Sequence, residues 1–224
     1  TLVSIYVNPK QFNNNKDLKN YPRNIQKDLR ILKKLNVDFV YIPKDNDIYN
    51  KDVKKKISIS KKDKVLCAKF RKGHFEGVLE VMDRLTYLIK PDKIYMGEKD
   101  YQQFFLVKKY IEKKYKTKII PCKTIRSKYK IALSSRNLLL NKKQLEIGNQ
   151  VASNLINFKR TLRNKINLKK FLEIKKLELN KFFGIDIEYL EIRNEKNLKK
   201  SNMIKNSKIF IAYYIGKIRL IDNL

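Results

Sequence analysis

The chain has 224 residues, of which 42% are hydrophobic and 11% aromatic, with 53 Lys and Arg against 22 Asp and Glu and a formal net charge of +31. This hydrophobic fraction supports a packed core and excludes a wholly disordered protein, and no apolar run is long enough to cross a bilayer. The two cysteines, Cys67 and Cys122, lie in unrelated contexts, and a single histidine provides no zinc cluster. We therefore expect a cytoplasmic protein of one large or two modest domains, with no membrane partner.

The lysines are spread along the whole chain, in doublets such as Lys61-Lys62 and Lys142-Lys143 that alternate with Asn and Ile. Such dispersion is typical of a bias toward Lys, Asn and Ile in an ordinary enzyme, because no stripe or stacking motif concentrates the charge. We do not expect a nucleic-acid partner, although a non-catalytic basic nucleic-acid-binding protein remains an alternative on charge alone. The positive field favours anionic substrates.

Predicted strands and helices alternate through the first half of the chain. Apolar runs predict strands at 2–7, 37–42, 57–59, 94–96 and 118–121. Apolar residues at helical spacing predict helices at 24–35, 78–89 and 102–115, and two glycines predict a loop at 70–77. This alternation indicates parallel βαβ units.

The pattern changes from about Ile125 onward. Helices predicted at 142–158 and 168–183 precede β-like runs at 185–193, 208–214 and 217–222, and the tight connection at Gly216 predicts a hairpin. The sequence thus predicts an α/β fold: a parallel-sheet domain at 1–125 and a smaller α+β domain with an antiparallel sheet at 126–224.

A strand, turn and helix junction at 94–103 is the candidate site that the residues themselves indicate. Gly97 lets the backbone turn tightly and approach a ligand, Lys99 offers an ammonium to phosphate, and Asp100 can hold Mg²⁺. Gln102 and Gln103 offer donors and acceptors to a polar substrate. A solvated, charged turn is the alternative that spacing alone leaves open.

Five clusters in order resemble one family. They are Asn8-Pro-Lys-Gln11-Phe, Tyr21-Pro-Arg, Gly73-His74-Phe-Glu-Gly77-Val, Gly97-Glu98-Lys99-Asp100-Tyr-Gln-Gln103 and Leu133-Ser134-Ser135-Arg136-Asn. Together they closely resemble the pantothenate synthetase (pantoate–β-alanine ligase) family, and the segment Gly-Lys-Ile-Arg-Leu-Ile-Asp-Asn at 216–223 is similar to that family's terminal hairpin. The resemblance covers essentially the whole chain.

The resemblance implies a Rossmann-like nucleotidyltransferase domain, a lid-like C-terminal domain and commonly a homodimer. It also implies ATP and Mg²⁺ as cofactors and a two-step ligation. Pantoate attacks ATP to give pantoyl adenylate and pyrophosphate, and β-alanine then gives pantothenate and AMP. Another adenylyl-transferring enzyme of the same superfamily remains an alternative, and so does a non-catalytic remnant.

The same resemblance assigns roles to single residues. Lys99, Asn8 and Gln103 are the catalytic candidates, Asp100 is the metal ligand, and Gln11, Gln103 and Asn8 bind pantoate or β-alanine. The ATP-binding set is Gly97, Glu98, Lys99, Asp100, Ile125, Leu133, Ser134, Ser135 and Arg136, with Ile125 contacting adenine through its backbone. Without the family match, Ser134 and its neighbours would be an N-cap and first helical turn. His74 is expected to order a loop or contact substrate rather than transfer a proton.

Two departures from the family pattern bear on these expectations. Thr1 opens the chain inside what resembles the family's second strand, and the family's His-x-Gly-His signature, whose histidines contact ATP, does not occur. We expect a fragment of a longer protein that is nearly inactive alone, with a genuine short paralogue as the alternative. In addition, Lys128-Tyr-Lys130-Ile-Ala stands where the family usually has Asp-Gly before Leu-Ala.

Overall fold

A computed structural model describes residues 1–12, 15–49, 57–162 and 167–224. Its strands are β1 (Leu2–Ser4), β2 (Phe39–Tyr41), β3 (Lys93–Gly97), β4 (Lys118–Cys122), β5 (Asp186–Asn194), β6 (Ser207–Ile215) and β7 (Ile218–Asn223). Its α-helices are α1 (Asn15–Asn20), α2 (Ile25–Lys34), α3 (Asp45–Ile48), α4 (Cys67–Phe70), α5 (His74–Ile89), α6 (Tyr101–Lys114), α7 (Lys142–Thr161) and α8 (Leu168–Phe183). Short 3-10 turns lie at Pro9–Gln11, Lys61–Asp63, Glu98–Asp100 and Ser135–Leu139.

Unit 1, the first of two compact units, comprises residues 1–64, 68–94 and 106–119. Within it β1 and β2 pair in parallel, with Val3 opposite Val40. Val81 and Leu85 on one face of α5 form a buried apolar cluster with Ile48 of α3. A parallel pair of strands joined through a helix is the arrangement that the alternating pattern predicts.

Unit 2 comprises residues 65–67, 95–105 and 120–224. Its three-stranded antiparallel sheet has the order β5-β6-β7, and buried residues of α7, α8 and the strands form one hydrophobic core. Ile215 pairs with Ile218 across a two-residue connection in which Gly216 has φ +58°. The predicted hairpin is therefore confirmed, and glycine suits it because positive φ costs glycine little.

The loop predicted at 70–77 is wrong, because α4 continues to Phe70 and α5 begins at His74. Gly73 (φ +78°) is the N-cap of α5, whereas Gly77 lies inside the helix. A Cβ at Gly77 would lie 3.1 Å from the carbonyl oxygen of Lys10. Close approach of another backbone segment, rather than a turn, explains this second glycine.

The strand predicted at 57–59 is also wrong, because these residues form no strand even though Ile59 is buried. A β-branched residue such as isoleucine can be buried in an apolar site without belonging to a strand. An apolar run therefore predicts burial more safely than it predicts strand pairing. The adjoining residues 50–56 lie outside the described part of the chain.

The other predicted strands and helices are present, with ends that differ by a few residues. β3 and β4 form a further two-stranded sheet. In the described part of the chain, no helix combines the length and apolar character needed to cross a membrane. The boundary between domains at 125 and 126 stays a prediction.

Candidate active site

In unit 1, Asn8 fixes the short turn that carries Gln11. The Asn8 Oδ1 atom accepts hydrogen bonds from the Lys10 N–H at 3.1 Å and the Tyr49 hydroxyl at 2.7 Å, and Nδ2 donates to the Gly77 carbonyl at 3.1 Å. Burial raises the pKa of Tyr49 to about 12, so its hydroxyl keeps the proton that it donates. Protein groups thus occupy three of the four hydrogen-bonding positions of the Asn8 amide.

A histidine and an arginine hold the main chain of Gln11 from the other side. His74 Nδ1 lies 2.8 Å from the Gln11 carbonyl oxygen, and Arg71 contacts both His74 Nε2 and the same carbonyl at 3.0 Å. Arginine only donates, so Nε2 of His74 must accept and Nδ1 must carry the proton that goes to Gln11. His74 is thereby a neutral tautomer that orders the Gln11 turn, as expected, and both of its ring nitrogens are engaged.

In unit 2, Lys99 and Asp100 lie in the 3-10 turn between β3 and α6. The Lys99 Nζ atom is 3.5 Å from Asp100 Oδ1, and the Lys99 side chain is 18% exposed against 48% for Asp100. An ammonium and a carboxylate at the end of a strand offer one group to phosphate oxygens and one to a cation.

The expectation that Gly97 lets the backbone turn tightly, through the conformational freedom of glycine, is wrong. Its φ is −68°, which any residue adopts, and a Cβ added there would meet nothing within 4 Å. The fold itself therefore does not require glycine at this position. Close approach of a ligand, the other part of the expectation, stays a prediction.

The two glutamines at the start of α6 differ in their surroundings. Gln102 is 5% exposed and donates to the Val65 carbonyl at 2.7 Å, so within unit 2 it links the start of α6 to the segment 65–67. Gln103 is half-buried. Of the pair, Gln103 is the one whose side chain remains accessible to a substrate.

The segment from Ile125 to Asn137 is a braced loop of unit 2. The Leu133 N–H donates to the Ile125 carbonyl at 2.9 Å, and Asn137 Nδ2 donates to the Ala132 carbonyl at 3.0 Å. Ser134 caps the 3-10 turn that follows, since its Oγ accepts the Arg136 N–H at 3.2 Å. The N-cap interpretation is thus confirmed for Ser134, and it is compatible with phosphate binding, because a hydroxyl that accepts one bond can still donate its O–H.

Among the described residues, no group of three or more His, Cys, Asp and Glu side chains is placed so that it could hold a metal ion. A single carboxylate such as Asp100 does suit Mg²⁺, because this ion keeps several waters and is usually bound through one or two carboxylates together with substrate phosphates.

Sequence reasoning missed Tyr49 and Arg71, which support the Gln11 turn. Tyr49 is 41 residues from the amide that it contacts, and Arg71 is 60 residues from the Gln11 carbonyl. Neither residue carries a local signal, because only the folded chain brings each to its partner.

A parallel α/β sheet with a Lys-Asp turn between strand and helix, followed by an antiparallel C-terminal sheet, defines a Rossmann-like nucleotidyltransferase architecture. A crystal structure of pantothenate synthetase from Thermus thermophilus matches with a TM-score of 0.91 at 26% identity, over 100% of this chain and 82% of that one. The Francisella tularensis pantoate-beta-alanine ligase, complexed with Beta-gamma ATP and beta-alanine, matches with a TM-score of 0.82 at 37% identity, over 100% of this chain and 78% of that one.

The particular family follows from the sequence comparisons. The family model for pantoate-beta-alanine ligase matches residues 1–224. A pantothenate synthetase from Endomicrobium trichonymphae is 39% identical over 230 residues, and one from Ruthia magnifica is 37% identical over 225; each alignment covers 100% of this chain and 80% of the relative. The chain belongs to the pantoate-beta-alanine ligase family, and it is therefore an ATP-dependent enzyme that joins pantoate to β-alanine.

Proposed function

We propose that the chain makes pantothenate through pantoyl adenylate, with the Lys99–Asp100 turn binding the ATP triphosphate. A pantoate carboxylate oxygen attacks the α-phosphorus of ATP, and the bond to pyrophosphate breaks. The β-alanine amine then attacks the acyl carbon and loses a proton, and AMP leaves. The observation that carries the proposal is the placement of the Lys99 ammonium 3.5 Å from the Asp100 carboxylate in a turn between strand and helix.

Adenylate formation brings an anion against a polyanion, so the enzyme must cancel charge and align the reactants. Orientation alone is worth about 7–11 kcal/mol of the barrier in favourable cases, and a preorganised cation adds to it. We propose that Lys99 supplies this cation. Its side chain is mostly buried, so its attraction to phosphate is weakened less by water than that of a fully exposed lysine.

We propose Asp100 as the Mg²⁺ ligand. Bound Mg²⁺ would neutralise phosphate charge. Asp100→Asn should raise the Mg²⁺ concentration needed for half-maximal activity, whereas Asp186→Asn, at an exposed position of β5, should not. Equal Mg²⁺ dependence in the two variants would contradict the assignment.

We propose that amide side chains bind pantoate, with Gln11, Gln103 and Asn8 as the residues concerned. Neutral amides hydrogen-bond hydroxyl and carboxylate groups without competing as nucleophiles. The carbonyl of Gln11 is held by His74 and Arg71, which supports a fixed orientation of this residue. For Asn8, which is 2% exposed, three internal hydrogen bonds support a role in shaping the turn that carries Gln11.

We propose that residues 97–98 and the loop at 125–136 also contact ATP. Ser134, Ser135 and Arg136 offer hydroxyl and guanidinium donors to the phosphates, and Arg can donate bidentately. Gly97 and Glu98 precede the Lys99–Asp100 turn and belong to the same proposed phosphate contact. Ile125 and Leu133 stand on the adenine side. The Ile125 carbonyl already accepts from Leu133, so its N–H is the group we assign to adenine.

We also propose a cytoplasmic homodimer with domains at 1–125 and 126–224. Both cysteines are free, which is in keeping with a reducing compartment. Sedimentation equilibrium would test the dimer, since a monomer at micromolar concentration would contradict it.

The proposal is tested by comparing Gln11→Ala with Gln26→Ala in the natural protein that carries this sequence. Gln26 is exposed on α2 and serves as the matched control. Losing a hydrogen bond to a charged substrate costs about 1.5–3 kcal/mol. Gln11→Ala should therefore raise the pantoate KM about tenfold or more, or lower kcat, with the ATP KM unchanged. Pantoate kinetics equal to those of Gln26→Ala would refute the assignment of Gln11 to pantoate binding.

A further inference from the structure

The end of β7 contains a side chain that the roles above leave unexplained. Asn223 is 5% exposed, and its Nδ2 atom donates to the carbonyl oxygens of Glu98 and Lys99, each at 2.8 Å. One amide group thus uses both of its N–H bonds on two consecutive carbonyls. The Glu98 carbonyl belongs to the Glu98–Lys99 peptide and the Lys99 carbonyl to the Lys99–Asp100 peptide, so the two bonds fix two consecutive peptide planes of the turn.

Asn223 is itself held from several directions. It lies opposite Phe210 in the β6–β7 ladder, and its own N–H donates to Asp222 Oδ1 at 2.8 Å. Arg126 donates to both carboxylate oxygens of Asp222, at 2.7 and 2.8 Å, and to the Asn223 carbonyl at 3.1 Å. A bidentate guanidinium–carboxylate pair is rigid and specific, so Asn223 reaches the turn from a fixed support.

The same arginine braces the loop that follows Ile125. Arg126 donates to the Lys130 carbonyl at 3.0 Å and forms a β-bridge with Ala132. The Asp222 side chain is 6% exposed and that of Arg126 19%, so the pair is partly shielded from water. Both segments of unit 2 that are proposed to bind ATP are therefore connected to the end of one strand.

We propose that Asn223, supported by the Asp222–Arg126 pair, is a positioning residue for ATP binding that sets the Glu98–Asp100 turn. This inference rests on the proposed role of Lys99 and Asp100. Asn223 contacts backbone carbonyls and not the nucleotide, and it acts by presenting the Lys99 ammonium and the Asp100 carboxylate in a fixed relation. Preorganised groups bind and stabilise charge better than groups that must be ordered during binding.

Asn223→Asp is the sharpest test, because it keeps the shape of the side chain, removes both donors and places a carboxylate against two carbonyls. The dissociation constant for the ATP analogue AMP-PCP should rise about tenfold or more. The pantoate KM should stay within about twofold of its original value. Asn202→Asp makes the same chemical change at an exposed bend and should leave both quantities unchanged.

If Asn223→Asp does not fold, a second variant and a measurement on the unaltered protein still test the inference. Asn223→Ala introduces no charge and should also weaken AMP-PCP binding. In the unaltered protein, the Asn223 side-chain amide resonances should shift when AMP-PCP is added. A folded Asn223→Ala protein with unchanged AMP-PCP affinity, or amide resonances that do not respond, would overturn the inference.

Lys99→Met separates this inference from the function on which it rests. If Lys99→Met weakens AMP-PCP binding and the Asn223 variants do not, the positioning role fails and the proposed function stands. If Lys99→Met leaves AMP-PCP binding unchanged, the phosphate-binding turn itself is refuted.

Discussion

Replacing Gly77 by alanine should weaken pantoate binding through the backbone of Lys10. The added Cβ would lie 3.1 Å from the Lys10 carbonyl oxygen, 3.2 Å from its carbon and 3.4 Å from Asn8 Nδ2. These atoms belong to the turn that ends at Gln11. Two of the contacts are with backbone, which cannot rotate away as a side-chain tip can, so the turn must shift by a few tenths of an ångström.

Two opposing effects set the size of the stability change. Alanine is favoured over glycine within a helix by about 0.8–1.0 kcal/mol, whereas overpacking typically costs about 1–3 kcal/mol. We expect Gly77→Ala to lower the free energy of unfolding by about 0–2 kcal/mol, the difference between these terms. The pantoate KM should nevertheless rise, because the Lys10 backbone that must move belongs to the turn that carries Gln11.

The assay is the pantoate KM together with urea unfolding, and Gly148→Ala is the matched control. Gly148 is also a helical glycine, in α7, and its added Cβ would meet the Ile131 Cδ1 atom at 2.7 Å, which is the flexible end of a side chain in unit 2. Gly148→Ala should change stability without changing the pantoate KM. A Gly77→Ala protein with unaltered pantoate kinetics would refute the proposed coupling of Gly77 to the Gln11 turn.

Other predictions concern tautomer, backbone strain and alkaline stability. His74→Asn keeps a donor near the Nδ1 position and should retain pantoate affinity better than His74→Gln; equal losses in pantoate KM would refute the tautomer assignment. Lys130 has φ +78°, which costs a non-glycine residue about 1–2 kcal/mol, so Lys130→Gly should raise the urea midpoint while Lys128→Gly, in the same loop, lowers it. Burial, with smaller contributions from Glu195 and Glu98, raises the pKa of Tyr101 from 10.0 to about 12. The stability that depends on protonated Tyr101 is therefore complete below pH 10 and is lost as the pH rises to 12. Tyr101→Phe should therefore lose less stability than the unaltered protein between about pH 9 and about pH 11, measured by urea unfolding, and an equal loss would exclude Tyr101 as the cause.

Local patterns were enough to predict most of the secondary structure, and α5 shows where they fail. Its apolar periodicity predicts a helix from Val78 onward, but Gly73 and Gly77 together predict a loop before it. Gly73 does mark the start of the helix, whereas position 77 lies inside the helix and has no room for a larger side chain beside the Lys10 backbone. That contact depends on tertiary structure, which no window of neighbouring residues contains.

The candidate site shows the same division between local and distant causes. The strand, turn and helix around Lys99 could be predicted, because the pattern is contiguous. The supports of the site could not: Asn223 is 125 residues from Glu98, and Asn8 is 69 residues from Gly77. Gly97 shows the converse error, since a glycine expected to let the backbone turn tightly has an ordinary φ of −68°.

The most direct test of the account is pantoate-dependent exchange of labelled pyrophosphate into ATP, measured in the natural protein that carries this sequence. Pantoyl adenylate formation is reversible chemistry that needs no β-alanine, so exchange should require pantoate and should fall sharply in Lys99→Met. The account would be contradicted by a folded, ATP-binding protein that shows no exchange with pantoate, or by exchange that proceeds equally well without it.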